Sequence, residues 1–164
     1  MYRLGWYVLN RWKERAKGLG CYVMDILKKL EENFDSDEYR IGGGVTKDKI
    51  QSAEQALNMV FPVPYKEFLS QVGWLEVINN YFFGVASQDE GEGSVVRMTH
   101  FAQQNWDLPE GLIVIYSSAD KLLWCMASAN ERSSKIVGYD TSKQKIVSVV
   151  SEDFESLIAD YLDQ

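Results

Sequence analysis

Carboxylates are the side chains of this sequence that most readily suggest chemistry. Three of them stand together in a glycine-containing loop, at Asp89, Glu90 and Glu92, and two more, Asp107 and Glu110, flank a proline. Paired carboxylates can bind a divalent cation, but the order D-E-G-E-G lacks the ligand spacing of a calcium loop, so we predict no metal site. The remaining alternatives are a solvated acidic loop and an acidic recognition surface for a basic protein.

Aromatic residues next to these acids could anchor a partner, because Trp and Tyr are frequent hot spots of protein interfaces. Trp106 adjoins Asp107, and Tyr116 follows a few residues later. Core packing is the alternative for each aromatic residue. We predict the following partner-binding residues: Asp89, Glu90, Glu92, Trp106, Asp107, Glu110, Tyr116 and Asp120.

Catalytic signals are weak. His100 is the only histidine, and no serine or cysteine motif surrounds it. A thiolate–imidazole zinc site needs clustered ligands, and with one histidine and two cysteines, Cys21 and Cys125, about a hundred positions apart, we predict none. Cys125 stands in an apolar run and is predicted to be a buried strand residue. We therefore predict a protein that is not an enzyme and that uses no catalytic residue, no cofactor and no small-molecule substrate.

The segment IGGGVTKDKI resembles a phosphate-binding loop, with glycines followed by Thr46, Lys47 and a helix start. It lacks the G-x-x-x-x-G-K-[ST] spacing, and no strand is predicted before it. We interpret it as a loop that leads into a helix capped by Thr46.

Charge narrows the class of partner. The chain of 164 residues has a net charge of −7, and its first 23 residues hold five basic residues and one acid, so the remainder carries −11. Nucleic acid is an improbable ligand for such a surface, because phosphate contacts need Lys and Arg. A basic protein is a suitable one. No apolar run reaches the length of a membrane span, and two cysteines fit a reducing compartment, so we predict a cytoplasmic protein without membrane contact.

The composition changes near residue 23. We predict an N-terminal extension over residues 1–23 and one folded domain over residues 24–164. The alternative is an amphipathic helix that belongs to the domain, with Leu4, Tyr7, Val8, Leu9 and Trp12 on one side.

The periodicity of apolar residues predicts an α+β domain, with N-terminal helices, a largely antiparallel sheet of about six strands and a C-terminal helix. A hairpin is predicted around Asn79 and Asn80, since Asn tolerates a positive φ. Ser94 is predicted to cap a helix through about Gln104, with Val95, Met98, Phe101 and Ala102 facing inward, and a strand is the alternative. Helices are predicted over about 24–34, 46–60, 64–72, 94–104 and 151–162, and the later strands in LIVIYS, KLLWCMA, KIVGYD and KIVSVV.

The stretch FPVPYKEFLSQVG predicts two helices joined by a sharp corner. Pro62 cannot lie inside the first helix, because its ring clashes with the preceding turn and it lacks an N–H. Pro64 suits the first turn of the next helix, and Gly73 can end that helix.

The order of these segments resembles the SUKH superfamily, which includes bacterial immunity proteins and fungal regulators of cell-wall synthesis. The matching residues are Ile50, Ala53, Glu54, Leu57, Pro62, Pro64, Tyr65, Phe68, Leu69 and Gly73. The strand pair around Asp120, the run ending in Tyr139 and Asp140, and the last helix match more loosely. The resemblance implies an immunity protein that binds a cognate toxin domain, often a nuclease, without turnover. A regulatory or scaffold module like the fungal members is the alternative.

Overall fold

A computed structural model describes residues 25–86, 93–118, 120–129 and 135–163 of the chain. The helices within these residues are α1 (Ile26–Asn33), α2 (Lys47–Leu57), α3 (Val63–Val72), α4 (Val95–Trp106) and α5 (Phe154–Leu162). The strands are β1 (Tyr39–Ile41), β2 (Leu75–Val77), β3 (Asn80–Phe82), β4 (Leu112–Ser117), β5 (Leu122–Ala127), β6 (Ile136–Asp140) and β7 (Lys145–Ser151). The predicted α+β class is confirmed, with the closing helix in place. The predicted extension over residues 1–23 lies outside the described residues and stays a prediction.

The sheet follows the order of the chain from β1 to β7, and every neighbouring pair is antiparallel. It has seven strands where about six were predicted. The additional strand is β1, which lies between the first two predicted helices, where no strand was predicted. Its three residues pair with β2 through Tyr39 and Val77, Arg40 and Glu76, and Ile41 and Leu75. Three residues beside glycines are too few for strand alternation to be recognised in the sequence.

Helices cover both faces of the sheet. The larger hydrophobic core combines buried residues of α1, α2, α3 and α5 with one face of the sheet. The smaller core lies on the other face, where Ala102 of α4 packs with Val114, Leu123 and Tyr139. β4 contributes to both cores because alternate side chains of a strand point to opposite faces, with Ile113 and Ile115 in the larger core and Val114 in the smaller. The β-bulge between Val114 and Tyr116 interrupts this alternation, so Tyr116 joins Ile115 in the larger core.

The proline joint has the predicted form. Pro62 is the N-cap of α3, Pro64 lies in its first turn, and Gly73 ends it with a φ of 72°. The backbone N–H of Phe61, whose side chain is buried, donates to Glu54 Oε2 at 2.9 Å. The corner is therefore held by a side chain of the preceding helix in addition to that helix's backbone C-cap, where Asn58 is left-handed and the N–H of Met59 donates to Glu54 O at 3.0 Å.

The β2–β3 hairpin turns one residue earlier than predicted. Ile78 and Asn79 have positive φ values of 48° and 65°, and Val77 pairs with Asn80. The prediction of Asn79 and Asn80 as the turn pair was wrong by one position. The observed register keeps Val77 and Phe82 in the larger core, and a slip by one residue would move them to the opposite face.

The helix α4 begins at the predicted cap, since Ser94 Oγ accepts the N–H of Arg97 at 3.2 Å. The prediction that Phe101 faces the core was wrong, because its side chain is 47% exposed. Thr99 is buried instead, and its Oγ1 accepts the N–H of Val114 at 3.1 Å. The last helix begins at Phe154, with Asp153 as its N-cap, rather than at residue 151 as predicted.

The glycine segment before α2 packs against its neighbours. The N–H of Gly42 donates to Trp74 O at 3.1 Å, and that of Val45 donates to Leu69 O at 3.1 Å. Thr46 caps α2 as predicted, accepting the N–H of Lys49 at 3.4 Å. The loop thus connects β1 to α3 through hydrogen bonds. These contacts agree with the interpretation of the glycine segment as a structural loop.

Candidate protein-binding surface

An open cleft of about 620 Å³ lies between α4 and the sheet. Its floor comes from β3, β4 and the residues next to them, at Asn79, Tyr81, Phe83 and Ser117. The helix contributes the wall on the other side, at Ser94, Arg97, Met98 and Phe101. The cleft therefore combines aromatic and apolar walls with hydroxyl, amide and guanidinium groups, a mixture typical of protein-binding surfaces.

The position of α4 over the sheet is set by a backbone contact at its first turn. Gly84 donates its N–H to Gly93 O at 2.8 Å, and Gly84 O accepts the N–H of Val95 at 2.8 Å. A Cβ on Gly84 would lie 1.7 Å from Gly73 O, so only glycine fits here. The two hydrogen bonds of Gly84 thus attach the start of α4 to the segment that follows β3.

The floor of the cleft continues sideways into a polar row. Arg40, Glu76 and Tyr81 lie directly opposite one another on β1, β2 and β3, so their side chains share the face that carries α4. Arg40 forms an ion pair with Glu76 and donates from Nη2 to Tyr81 Oη at 2.9 Å. The hydrogen bond and charge of Glu76 raise the pKa of Arg40. This network orients the Tyr81 phenol at the edge of the cleft.

Trp106, a predicted partner-binding residue, stands half-buried at the end of α4. Its ring contacts that of Phe101 edge to face, with centroids 5.0 Å apart and an interplanar angle of 81°. Because Phe101 also lines the cleft, the two rings form an aromatic patch that continues from the cleft along the helix. Tyr139 secures this end by donating from Oη to Trp106 O at 2.7 Å.

The described acidic residues of the predicted set are exposed but dispersed. Asp107 ends α4 in a left-handed conformation next to Trp106. Glu110 precedes β4 and Asp120 follows it, so the strand separates them by about 17 Å at the usual rise per residue. Asp89, Glu90 and Glu92 lie outside the described residues, and their predicted role stays a prediction.

Tyr116 contributes to the core. It is 5% exposed, its ring stacks on Trp124 at 4.1 Å, and its Oη donates to Asn80 Oδ1 at 2.9 Å. The pKa of Tyr116 is raised to about 12, mainly by burial and to a smaller extent by the neighbouring Tyr161 and Asp120. A partner has little of this side chain to contact, so Tyr116 can act on a binding surface only through the residues that it holds.

Groups with catalytic potential are placed unfavourably for chemistry. Cys125 is fully buried in β5 as predicted, and burial raises the pKa of its thiol to about 12. His100 is half-buried on α4 and does not line the cleft. Within residues 25–86, 93–118, 120–129 and 135–163, no three potential metal ligands lie together.

A protein-family model described as SMI1-KNR4 cell-wall, of the group SUKH_5, matches residues 23–163. The chain belongs to the SUKH superfamily. Comparison with curated proteins gave no match. SUKH membership supports a protein-binding role of the immunity type, since SUKH proteins are generally non-catalytic immunity or regulatory proteins. None of the described helices combines the length and hydrophobicity needed to cross a bilayer.

Several residues that line the cleft were not predicted from the sequence. Arg97, Met98 and Phe101 reach the cleft from α4, whereas Tyr81 and Ser117 come from strands that are distant in sequence. No spacing motif joins segments that meet only through sheet pairing. The buried residues of α4 are Val95, Thr99 and Ala102, and the apolar Phe101 led the sequence pattern away from Thr99.

Proposed function

We propose that this SUKH protein is an immunity protein that binds a cognate toxin domain and neutralises it in the producing bacterium. The observation that carries the proposal is the match of the SUKH model to residues 23–163. An open cleft with aromatic walls supports it, because such a surface suits recognition of a protein rather than turnover of a substrate. A nuclease is the toxin class that we propose.

The charge of the protein favours a basic partner. The net charge is −7, and a toxin that grips nucleic acid tends to be basic, so an acidic inhibitor can occupy its substrate-binding surface. Complementary charges accelerate association, and salt screens them. We place the contact on the α4 side of the sheet, around the cleft and the Phe101–Trp106 pair.

Co-purification provides the test. The full chain is mixed with the catalytically inactivated C-terminal toxin domain encoded next to its gene, and the complex is followed by gel filtration and calorimetry. We expect a stoichiometric complex whose Kd rises at least tenfold between 50 and 500 mM NaCl. An active toxin domain should lose its activity when the SUKH chain is added in equimolar amount. An active domain that neither binds nor is inhibited would contradict the proposal.

A regulatory module is the second candidate, favoured by the cell-wall description of the matching family model. Such a module would bind a cellular partner, and no toxin gene would stand next to its own. Deletion of the gene distinguishes the two functions. Loss of an immunity protein should kill only cells that carry an active toxin gene, whereas loss of a regulator should alter growth in cells without one.

A further inference from the structure

Ile78 at the tip of the β2–β3 hairpin occupies a backbone conformation that its side chain disfavours. Its φ is 48°, and Asn79 follows with a φ of 65°. Glycine and asparagine are the usual residues in such a turn, and a β-branched residue in the left-handed region is a genuine outlier. Outliers of this kind persist where the surrounding structure fixes them, and they cluster at functional sites.

Burial does not explain the presence of isoleucine. Ile78 is 56% exposed, among the most exposed large hydrophobic side chains of the described residues. The fold therefore gains little hydrophobic stabilisation from a side chain that also strains the backbone. Both the backbone strain and the exposed apolar side chain are unfavourable in the free protein. A partner that covers the side chain would account for its presence.

Hydrogen bonds hold the strained tip in one geometry. Ile78 donates its N–H to Glu38 O at 2.9 Å, and its carbonyl accepts from Asn80 Nδ2 at 3.2 Å. Asn80 is held in turn by the buried Tyr116 hydroxyl. The exposed side chain is thus presented on a rigid base, which lowers the entropy lost when a partner binds.

The surroundings of the tip indicate the chemistry of that partner. The tip separates the aromatic cleft from a second hollow of about 410 Å³, and Asn79 lines both. The second hollow is bordered by Asp37, Glu38 and Glu76, with Arg40 paired to Glu76. Asp37 and Glu38 are exposed there, and the exposed Arg40 is offset by Glu76, so these four residues leave a net charge of −2 beside Ile78.

We infer that Ile78 is an apolar anchor of the partner interface. The partner is a protein that places an apolar pocket over Ile78 and Lys or Arg side chains over Asp37 and Glu38. Burying an apolar side chain inside a ring of complementary polar contacts is the usual arrangement of an interface hot spot. The inference rests on the proposed protein-binding function and assigns a place and a chemistry to it.

The variant Ile78→Asn tests the inference in the full chain, with the inactivated neighbouring toxin domain as the probe. Asn accepts the left-handed turn, so the urea midpoint should rise. The Kd should nevertheless increase at least tenfold, because the apolar contact is lost. Stability and affinity then change in opposite directions, which a structural role alone would not produce.

Asp37→Asn should slow association at low salt and reduce its salt dependence.

Two matched variants act as controls. Gln144→Asn relieves a left-handed residue with a φ of 53° in the β6–β7 turn, so it should stabilise without changing affinity. Val63→Asn removes an apolar side chain that is 58% exposed at the start of α3, and it should leave affinity within twofold of the parent.

The outcomes separate the two proposals. If Ile78→Asn binds as tightly as the parent, or if its urea midpoint falls, the inference is overturned while the immunity function stands. If the parent protein itself does not bind an active toxin domain, the proposed function fails and takes the inference with it.

Discussion

Tyr116 Oη donates a hydrogen bond of 2.9 Å to Oδ1 of Asn80 across the β3–β4 pair. The same Asn80 uses its Nδ2 to hold the carbonyl of Ile78 at 3.2 Å. A buried ring stacked on Trp124 therefore helps to fix the strained and exposed turn at Ile78 and Asn79. The core and the proposed partner surface are joined by one amide side chain.

Removing the Tyr116 hydroxyl should loosen this turn. In Tyr116→Phe the ring keeps its stack on Trp124, so the free energy of unfolding should fall by only about 1 kcal/mol. Amide exchange at Ile78 should become faster. The matched control is Tyr139→Phe, which loses a hydrogen bond to Trp106 O at the end of α4. Its free energy of unfolding, measured by urea denaturation, should fall by a similar amount, while amide exchange at Ile78 should stay unchanged. Faster exchange at Ile78 in both variants would show that the effect is global.

The proline joint should depend on Glu54. Its carboxylate accepts the N–H of Phe61 at 2.9 Å and contacts Lys66 Nζ at 3.4 Å. Glu54→Ala leaves that N–H without its side-chain acceptor, so the free energy of unfolding should fall by about 1–2 kcal/mol in urea denaturation. Glu54→Gln retains an oxygen and should cost less. Glu32→Ala, which breaks an exposed pair with Lys28, should change stability by no more than about 0.5 kcal/mol; an equal loss in both alanine variants would exclude a special role for the joint.

Gly84 should be far less replaceable than Gly43. In Gly84→Ala the new Cβ would overlap a backbone oxygen that cannot move freely, so we expect a loss of more than about 3 kcal/mol or failure to fold. In Gly43→Ala no described atom lies within 4 Å of the new Cβ, and only the φ of 88° opposes the change. That variant should lose about 1 kcal/mol in urea denaturation. Similar losses in the two variants would mean that the backbone does not approach Gly84 as closely as described.

Glu155 should make the domain less stable as the pH rises through the weakly acidic range. The pKa of Glu155 is raised to about 6, mainly by burial and to a smaller extent by the charges of Asp153 and Glu67. An unfolded glutamate has a pKa of about 4.3, so between these values the folded chain binds the proton more tightly and stability falls with increasing pH. The penalty is reduced because the carboxyl is only half-buried and solvent screens it.

The variant Glu155→Gln removes that penalty. Its urea midpoint should match that of the parent below about pH 4 and exceed it above about pH 6.5. The control is Glu31→Gln at an exposed position of α1, and its urea midpoint should stay close to that of the parent at pH 7. A Glu155→Gln midpoint that falls below the parent at pH 7 would mean that the negative charge stabilises the start of α5.

The sequence predicted best where local chemistry decides the structure. The caps at Thr46 and Ser94, the prolines at 62 and 64 and the four later strands depend on neighbouring residues, and they were placed correctly. β1 and the turn at Ile78 depend on pairing with distant segments. The position of that turn is set by the alternation of side chains between the two faces of the sheet, which keeps Val77 and Phe82 in the larger core. The preference of Asn for a positive φ has less weight.

The candidate surface was harder to predict than the fold. Trp106 was predicted to bind a partner from its place beside acidic residues, and this stays a prediction, while its ring contacts that of Phe101. The cleft itself arises because α4 lies over β3 and β4, and its residues come from separate parts of the chain. The strain and exposure of Ile78 are properties of a three-dimensional turn, so no residue pattern could indicate them.

The order of the strands also has a consequence for how quickly the chain can fold. Every strand pairs with the next one in sequence, so five of the six pairings need only the closure of a short loop or of one helix. Only the β1–β2 pairing must wait for two helices to form between its partners. A meander of this kind has low contact order for a sheet of seven strands, and low contact order accompanies fast folding. Refolding from urea should therefore be faster than that of a β-sandwich of similar length, with docking of β1 among its latest steps.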